Sequence, residues 1–315
     1  MSSSSTMASK GSRPPSVPEP RTRLDRPKFS VSSPFLLGPG MLLIIVLFVA
    51  PVCYAFYLGF TNVQLIGMHA VDFDFTGVAN LKRLIGDSQF LNSVFLTLVF
   101  VVGSGTVGTT VIGLVMALLM QSSVGAVRVV VSAFAIVAWT LPPTTLAVIW
   151  FAASTSGGVL PTLLGNSRYD MLYAQPMLVV SLANAWSLAG LAMLMFSAAL
   201  KGISQEMLEA ARLENASASQ RLVRLILPQL RPTMLTCALM MTLLTFGNFT
   251  LIYLMTGGGP DNATNILPVY AYLQGFKFHD LAYGALLGDV IVIISATLGG
   301  ACVYLGRGRR ERRPV

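Results

Sequence analysis

The chain has 315 residues, 54% of them hydrophobic and only 11% charged, against roughly 25% charged in soluble domains. Thirteen acidic and twenty-one basic side chains cannot clothe a globule of this size, and none lies between Asp87 and Arg128 or between Asp170 and Lys201. A soluble enzyme, a nucleic-acid-binding domain and a disulfide scaffold are excluded, and an all-α integral membrane protein is expected.

In chain order, residues 1–33 are rich in Ser and Pro and carry six bases from Lys10 to Lys28. They read as a disordered, basic, cytoplasmic tail. The apolar run that follows is too long for the core of a secretory signal. Six transmembrane helices are predicted within 35–305, at about 35–60, 90–120, 128–152, 176–200, 232–255 and 281–305. Pro51 and Pro142-Pro143 fall inside the first and third, where proline kinks or ends a helix. Gly103, Gly105, Gly108 and Gly113 in the second span, and Gly284 and Gly288 in the sixth, read as close helix-packing positions. Residues 306–315 form a second basic tail.

With the N-terminus inside, seventeen of the twenty-one Lys and Arg residues face the cytoplasm; Lys82, Arg83, Arg168 and Lys277 remain outside. Such a bias sets orientation, so both termini are expected in the cytoplasm. The net charge of +8 then reports membrane anchoring rather than nucleic acid.

Few groups in the chain could perform chemistry. Cys53, Cys237 and Cys302 lie in apolar runs and read as small hydrophobes. His69 and His279 are the only histidines, so neither a metal site nor a catalytic set is expected. No Gly-Lys pair exists to cradle a nucleotide phosphate. Asp289 is the one carboxylate at membrane depth. It should avoid lipid and reads as a structural hydrogen bond to a neighbouring helix, a contact to a second subunit, or a substrate contact. An ion-coupled secondary carrier and a membrane-embedded enzyme are the rival classes. The carrier would want more relay groups, the enzyme a paired acid or nucleophile.

The cytoplasmic segment 201–231 is too long for a simple connection. It reads as two short amphipathic helices. The first runs from about Gln205 to Leu213 behind a Ser204 cap, and the second from Ser217, with Gln220 completing a capping box, to a stop at Pro228. Such a pair fits a partner-docking element or helices lying on lipid headgroups.

Within this segment Glu209-Ala210-Ala211, Glu214-Asn215-Ala216 and Leu227-Pro228 resemble the EAA loop of the permease subunits of bacterial ABC importers. The family has Asp-Gly where Glu214-Asn215 stand here. Asn tolerates the left-handed backbone after Gly, so the turn can survive. Phe246, Phe249, Ile252 and Tyr253, followed by Thr256-Gly257-Gly258-Gly259-Pro260, are similar to the end of the fifth span in carbohydrate permeases of the maltose and glycerol-3-phosphate type. Tyr270, Gln274-Gly275-Phe276, Tyr283-Gly284 and the stretch Phe75 to Leu81 extend the likeness over about 35–305.

The resemblance implies a type I ABC importer permease fold in the bacterial inner membrane and half of a pathway for a sugar or sugar-like solute. It implies a second permease, two ATPase subunits that bind ATP and Mg, and an extracytoplasmic solute-binding protein as partners, with no cofactor on this chain. Glu209, Ala210, Ala211, Glu214, Asn215, Ala216, Leu227 and Pro228 would couple to the ATPase. Asn184, Trp186, Asn248, Thr250, Tyr253 and Asp289 are candidates for the solute pathway, although Trp and Tyr also sit at membrane interfaces without any ligand.

Overall fold

The computed structural model describes residues 32–307, so the two basic tails predicted at 1–33 and 306–315 lie almost wholly outside the described residues. The described residues are helical, apart from loops and one isolated antiparallel bridge between Thr61 and Phe75. Contacts divide the chain into two units, residues 1–51 and 52–315. The first contributes the opening turns of α1 (Gly38–Leu58), an apolar helix of 21 residues. Its helix runs on past Pro51 after a widened turn at Ile45–Val49.

The second unit holds the rest. After the loop 59–78 come α2 (Ala79–Gly86) and α3 (Ser88–Gln121), a helix of 34 residues without a break. Then follow α4 (Gly125–Thr140), α5 (Pro143–Ser154), α6 (Pro176–Lys201), α7 (Gln205–Leu213), α8 (Ala218–Phe246), α9 (Phe249–Thr256), α10 (Leu267–Tyr272) and α11 (Leu281–Arg307). Among the described residues five helices are long and apolar enough to cross a membrane, α5 being so only when carried on to Leu163, and six when the bent pair α8–α9 counts as one span.

Three elements differ from the sequence reading, each for a local reason. The third span is two helices, because Pro142 caps α5 in an extended conformation and cannot continue α4. The fifth span also breaks. Gly247 and Asn248 leave the helix and α9 turns away by 48°. The second loop helix does not stop at Pro228, and α8 carries it through Pro228 and Pro232 into the membrane. A widened stretch over Leu222–Ile226 precedes Pro228. Pi-type turns of this kind absorb the missing N–H that would otherwise end the helix.

α6 is the central strut, packed on α3, α4 and α8. Its contact face is small, and that permits the approach. A side chain at Gly190 would overlap the Ala135 carbonyl of α4, and one at Gly113 of α3 would overlap Ala192 of α6. Gly105 of α3 meets Thr245 of α8, and Gly284 of α11 lies over the Gly275 backbone. Gly103 and Gly288, read as packing positions, have nothing within 4 Å. Without water as a driving force inside a bilayer, such close backbone contact is what holds helices together. Cys237 is buried as expected, whereas Cys53 is exposed; the Cys302 side chain lies outside the described residues.

Candidate functional site

The segment 201–231 builds a helix–turn–helix from local signals. Ser204 accepts from the Met207 amide at 3.4 Å and opens α7. Asn215 closes it with φ of 56°, the left-handed geometry that Asn admits. The Asn215 and Ala216 amides donate to the Arg212 and Ala211 carbonyls, both at 3.0 Å. Ser217 and Gln220 form a complete capping box at the start of α8.

Packing then fixes which face is free. Ala211 is buried, and Leu208 and Ile226 pack against a core of Phe196, Leu200, Ile203 and Leu230. Glu209, Ala210, Glu214 and Asn215 are exposed; Ala216, Leu227 and Pro228 are half-buried. Among the described residues no hydrogen bond or ion pair engages the Glu209 carboxylate. Leu213 next to it is 85% exposed. A free acid and a bare Leu stand on a helix whose opposite side is anchored by a small residue.

The six pathway candidates separate. Asn184 is fully buried, and its amide is spent on other helices. It donates to Ser104 Oγ of α3 at 2.5 Å and to Thr245 Oγ1 of α8 at 3.1 Å, and it accepts from Asn248 Nδ2 at 2.8 Å. Its amide ties α6 to α3, α8 and the break after α8. Thr106 and Thr242 add a direct α3–α8 bond at 2.7 Å nearby. Asn248 sits half-buried in the break between α8 and α9, and Thr250 is half-buried in the first turn of α9. Trp186 is on the opposite, exposed side of α6 and meets Trp150 edge-on at 6.1 Å. Tyr253 stacks on Phe249 at 5.1 Å and meets Tyr272 at 4.8 Å. Phe249 and Tyr272, with Phe276, Leu58 and Ala285, line an apolar groove of about 400 Å³.

Asp289 is 5% exposed, and its Oδ2 has no hydrogen-bond partner among the described residues. It faces Gly59, where an added Cβ would lie 3.0 Å from that oxygen. The structural hydrogen bond to a neighbouring helix, one of the expectations for Asp289, is therefore not made among the described residues.

A polar cluster at the ends of α3 and α11 has no counterpart in the sequence reading. Asp87 caps α3, accepting from the Gln89 and Phe90 amides at 2.9 and 3.3 Å. Its other oxygen accepts from the Tyr270 and Tyr283 hydroxyls at 2.5 and 2.6 Å. Arg83 lies over the Tyr283 ring at 4.0 Å and pairs with Asp280. Burial pushes the Asp87 carboxyl up, but the four hydrogen bonds, those of the tyrosines foremost, outweigh it and hold the group below its ordinary value. Burial, then the Asp87 carboxylate, pushes Tyr270 up to about 12. The loop before α2 is tied down by Asn80, which donates to the Gly59 and Thr61 carbonyls at 2.9 and 2.8 Å. The Gly-rich turn after α9 uses Gly257 and Gly258 at φ of 60° and 94°.

A helical bundle of this kind, with a polar break at mid-span and a helix pair presented from one end, is the architecture of a membrane permease subunit. Comparison with known proteins agrees. The chain belongs to the family of binding-protein-dependent transport system inner membrane components, whose model matches residues 109–313. It is a transport subunit rather than an enzyme. The sn-glycerol-3-phosphate transport system permease protein UgpA of Yersinia enterocolitica is 30% identical over 280 residues, covering 85% of this chain and 92% of the relative. UgpA of Agrobacterium fabrum is 29% identical over 277 residues, covering 84% and 91%. In fold the chain is similar to a subunit of a bacterial ABC transporter involved in the import of the acidic polysaccharide alginate. The TM-score is 0.72 at 18% identity, covering 89% of this chain and 97% of that one.

Proposed function

We propose that this chain forms half of the translocation pathway of an ATP-driven importer for a sugar or sugar-like solute, and that α7 is its coupling element. The observation that carries this reading is the free Glu209 carboxylate, exposed on a helix whose far side is locked by Ala211 and Leu208. A rigid helix pair continuous with α8 can act as a lever. Closure of an ATPase pair gripping α7 would move α8 and so the break at Gly247-Asn248. ATP supplies the free energy by binding one state better than the other, and both ATP and Mg belong to the ATPase partners, none to this chain. A second permease subunit and an extracytoplasmic solute-binding protein complete the assembly. The carbohydrate class is supported by relatives named for sn-glycerol-3-phosphate transport and by a fold neighbour that imports alginate. The Lys and Arg bias supports cytoplasmic termini and a cytoplasmic 201–231 loop. Asn248, Thr250 and Tyr253 are the side chains best placed to meet the solute, through hydroxyl hydrogen bonds and ring stacking.

The test is co-expression with the partner genes, followed by uptake of radiolabelled sn-glycerol-3-phosphate and of maltose into proteoliposomes loaded with ATP. ATP-dependent uptake that needs the binding protein is expected. Uptake driven by an ion gradient without ATP would replace this reading with a secondary carrier.

A further inference from the structure

We infer that the bundle is hinged between two hydrophobic cores, and that the widened stretch Val101–Thr109 of α3 is the turn that rewinds when the core carrying α7 moves against the core carrying α9. The inference rests on the reading of α7 as the coupling element.

One core joins Leu208 of α7 to Ala117 of α3, Phe196 of α6 and Met241 of α8. Another joins Phe100 of α3 and Val180 of α6 to Leu146 of α5 and Ile252 of α9. Four segments give buried residues to both cores, and each is broken, widened or polar between its two contributions. The α4–α5 pair breaks at Pro142, and the α8–α9 pair at Gly247-Asn248. α6 runs through unbroken but carries buried Asn184 and Ser187 there. α3 also runs through, and its turns are widened over Val101–Thr109. Hydrogen bonds join the segments at this seam, from Asn184 to Ser104, Thr245 and Asn248, and between Thr106 and Thr242. Close-packed cores move as units, and a polar seam between them is where partners can be exchanged.

The widening of α3 has no proline to explain it. Ile45–Val49 leads up to Pro51, Leu222–Ile226 leads up to Pro228, and Leu273–Lys277 is the last turn of its helix. No proline lies between Pro51 and Pro142. The stretch is held open by its own side chains. Thr97, Thr242 and Ser295 donate to the carbonyl four residues back, as hydroxyls in ordinary helices do. Thr106 and Thr109 instead donate five residues back, to the Val101 carbonyl at 3.2 Å and the Ser104 carbonyl at 2.9 Å. Gly108 makes the room, because a Cβ there would lie 2.8 Å from the Gly103 carbonyl oxygen, again five residues back. A mid-helix widening of this kind is a place where a helix passes between two windings. The two halves of α3 are tied to different cores. Thr97 accepts from the Leu267 amide of α10 at 2.8 Å, whereas Thr106 bonds Thr242 of α8. When α7 moves α8, the second half of α3 goes with it, and the winding over Val101–Thr109 takes up the difference.

The experiment compares Gly108→Ala with Gly103→Ala in the assembled transporter. Both add the same methyl group to the same stretch. At 103 nothing lies within 4 Å, whereas at 108 the methyl meets the carbonyl of the widened turn and excludes that winding. The nearest atom of another helix, Ala185 Cβ, stays at an ordinary 3.7 Å from it. Uptake of maltose or sn-glycerol-3-phosphate should stay within roughly twofold of wild type in Gly103→Ala and fall by roughly tenfold or more in Gly108→Ala. Spin labels at Phe95→Cys and Val115→Cys, both exposed and on either side of the stretch, report the winding once Cys53, Cys237 and Cys302 are replaced by Ala. Their separation is measured without nucleotide and after trapping with ATP and vanadate. It should shift by about 2 Å or more in wild type and Gly103→Ala, and stay fixed in Gly108→Ala. A fixed separation in a wild type that transports, or uptake by Gly108→Ala equal to that of Gly103→Ala, would overturn the hinge. If Gly108→Ala does not assemble, Thr109→Val removes one bond of the widened turn without adding bulk; it should lower uptake and reduce the shift, and wild-type values of both would overturn the hinge. If wild type neither transports nor hydrolyses ATP, the import reading fails. Two label separations in wild type that become one in Gly108→Ala would still support the hinge, and one separation in both would overturn it.

Discussion

Asp87 tests how far its tyrosine cluster holds α2, α3, α10 and α11 together. In Asp87→Asn the shape of the cap survives, but the charge that draws two tyrosine hydroxyls and two backbone amides is lost. Hydrogen bonds to a charged acceptor are each worth about 1.5–3 kcal/mol. Asp87 is only half-buried, and Asn retains weaker versions of these bonds, so the loss should be about 2 kcal/mol rather than the sum. The sign with pH follows from the lowered carboxyl. A group whose folded value is depressed stabilises fully above its unfolded value, and that stabilisation is lost as pH falls through the folded one. Wild type should therefore lose stability below about pH 4, the ordinary Asp value, while Asp87→Asn should already be weaker at pH 7 and flatter with acid. Tyr283→Phe should cost about 1 kcal/mol in wild type and clearly less in Asp87→Asn, as residues sharing a bond are non-additive. Thermal unfolding of the detergent-solubilised protein, followed by size-exclusion fluorescence at several pH values, reads all of this. A melting point for Asp87→Asn equal to wild type at pH 7, with the same acid sensitivity, would refute the reasoning.

Other consequences are open to measurement. Gly190→Val places a side chain onto the Ala135 carbonyl; it should separate α6 from α4 at a cost of about 3 kcal/mol or more and abolish folded yield, whereas Gly288→Val, with open space around it, should be tolerated. Asn215→Gly should stabilise the α7 turn by up to about 1 kcal/mol and Asn215→Val should destabilise it by more than that, because Asn215 is left-handed; helix content and protease resistance of the loop report both. Asp289→Leu should raise melting temperature, since it removes a buried oxygen without a described partner worth about 2 kcal/mol or more. The same variant should lower uptake by the complex, because a carboxylate kept at that cost is expected to meet a partner subunit or solute. Equal uptake in Asp289→Leu and wild type would remove that role.

The spans were legible because absence of charge over twenty or more residues has few other meanings. Breaks were legible only where the chain announces them. Pro142-Pro143 signals one, and α4 ends there. Gly247-Asn248 gives no such signal, since glycine inside a span is usually a packing residue, and the break went unread. Pro228 misled in the opposite sense, because one widened turn lets α8 pass it. Local capping signals carried the 201–231 loop: Ser204, Asn215 and Ser217 occupy the conformations their chemistry favours. Long-range chemistry could not be read in advance. Tyr270 and Tyr283 lie 183 and 196 residues from Asp87, and only packing of α10 and α11 beside α3 brings them together. The bridge that Asn184 makes was hidden for the same reason, its partners being 80, 61 and 64 residues distant.

Coupling through α7 is the centre of the account, and Glu209 exposes it most directly. Glu209→Ala leaves α7 intact, since the side chain is exposed and makes no bond among the described residues, and the protein should insert and fold as wild type. The measurement is ATP hydrolysis by the reconstituted complex as solute-loaded binding protein is added, with Glu209 and with Glu209→Ala. Stimulation should fall by at least tenfold in the variant, the loss of a charge-assisted contact of about 1.4 kcal/mol or more. Equal stimulation, with equal amounts of ATPase subunit bound, would contradict the account.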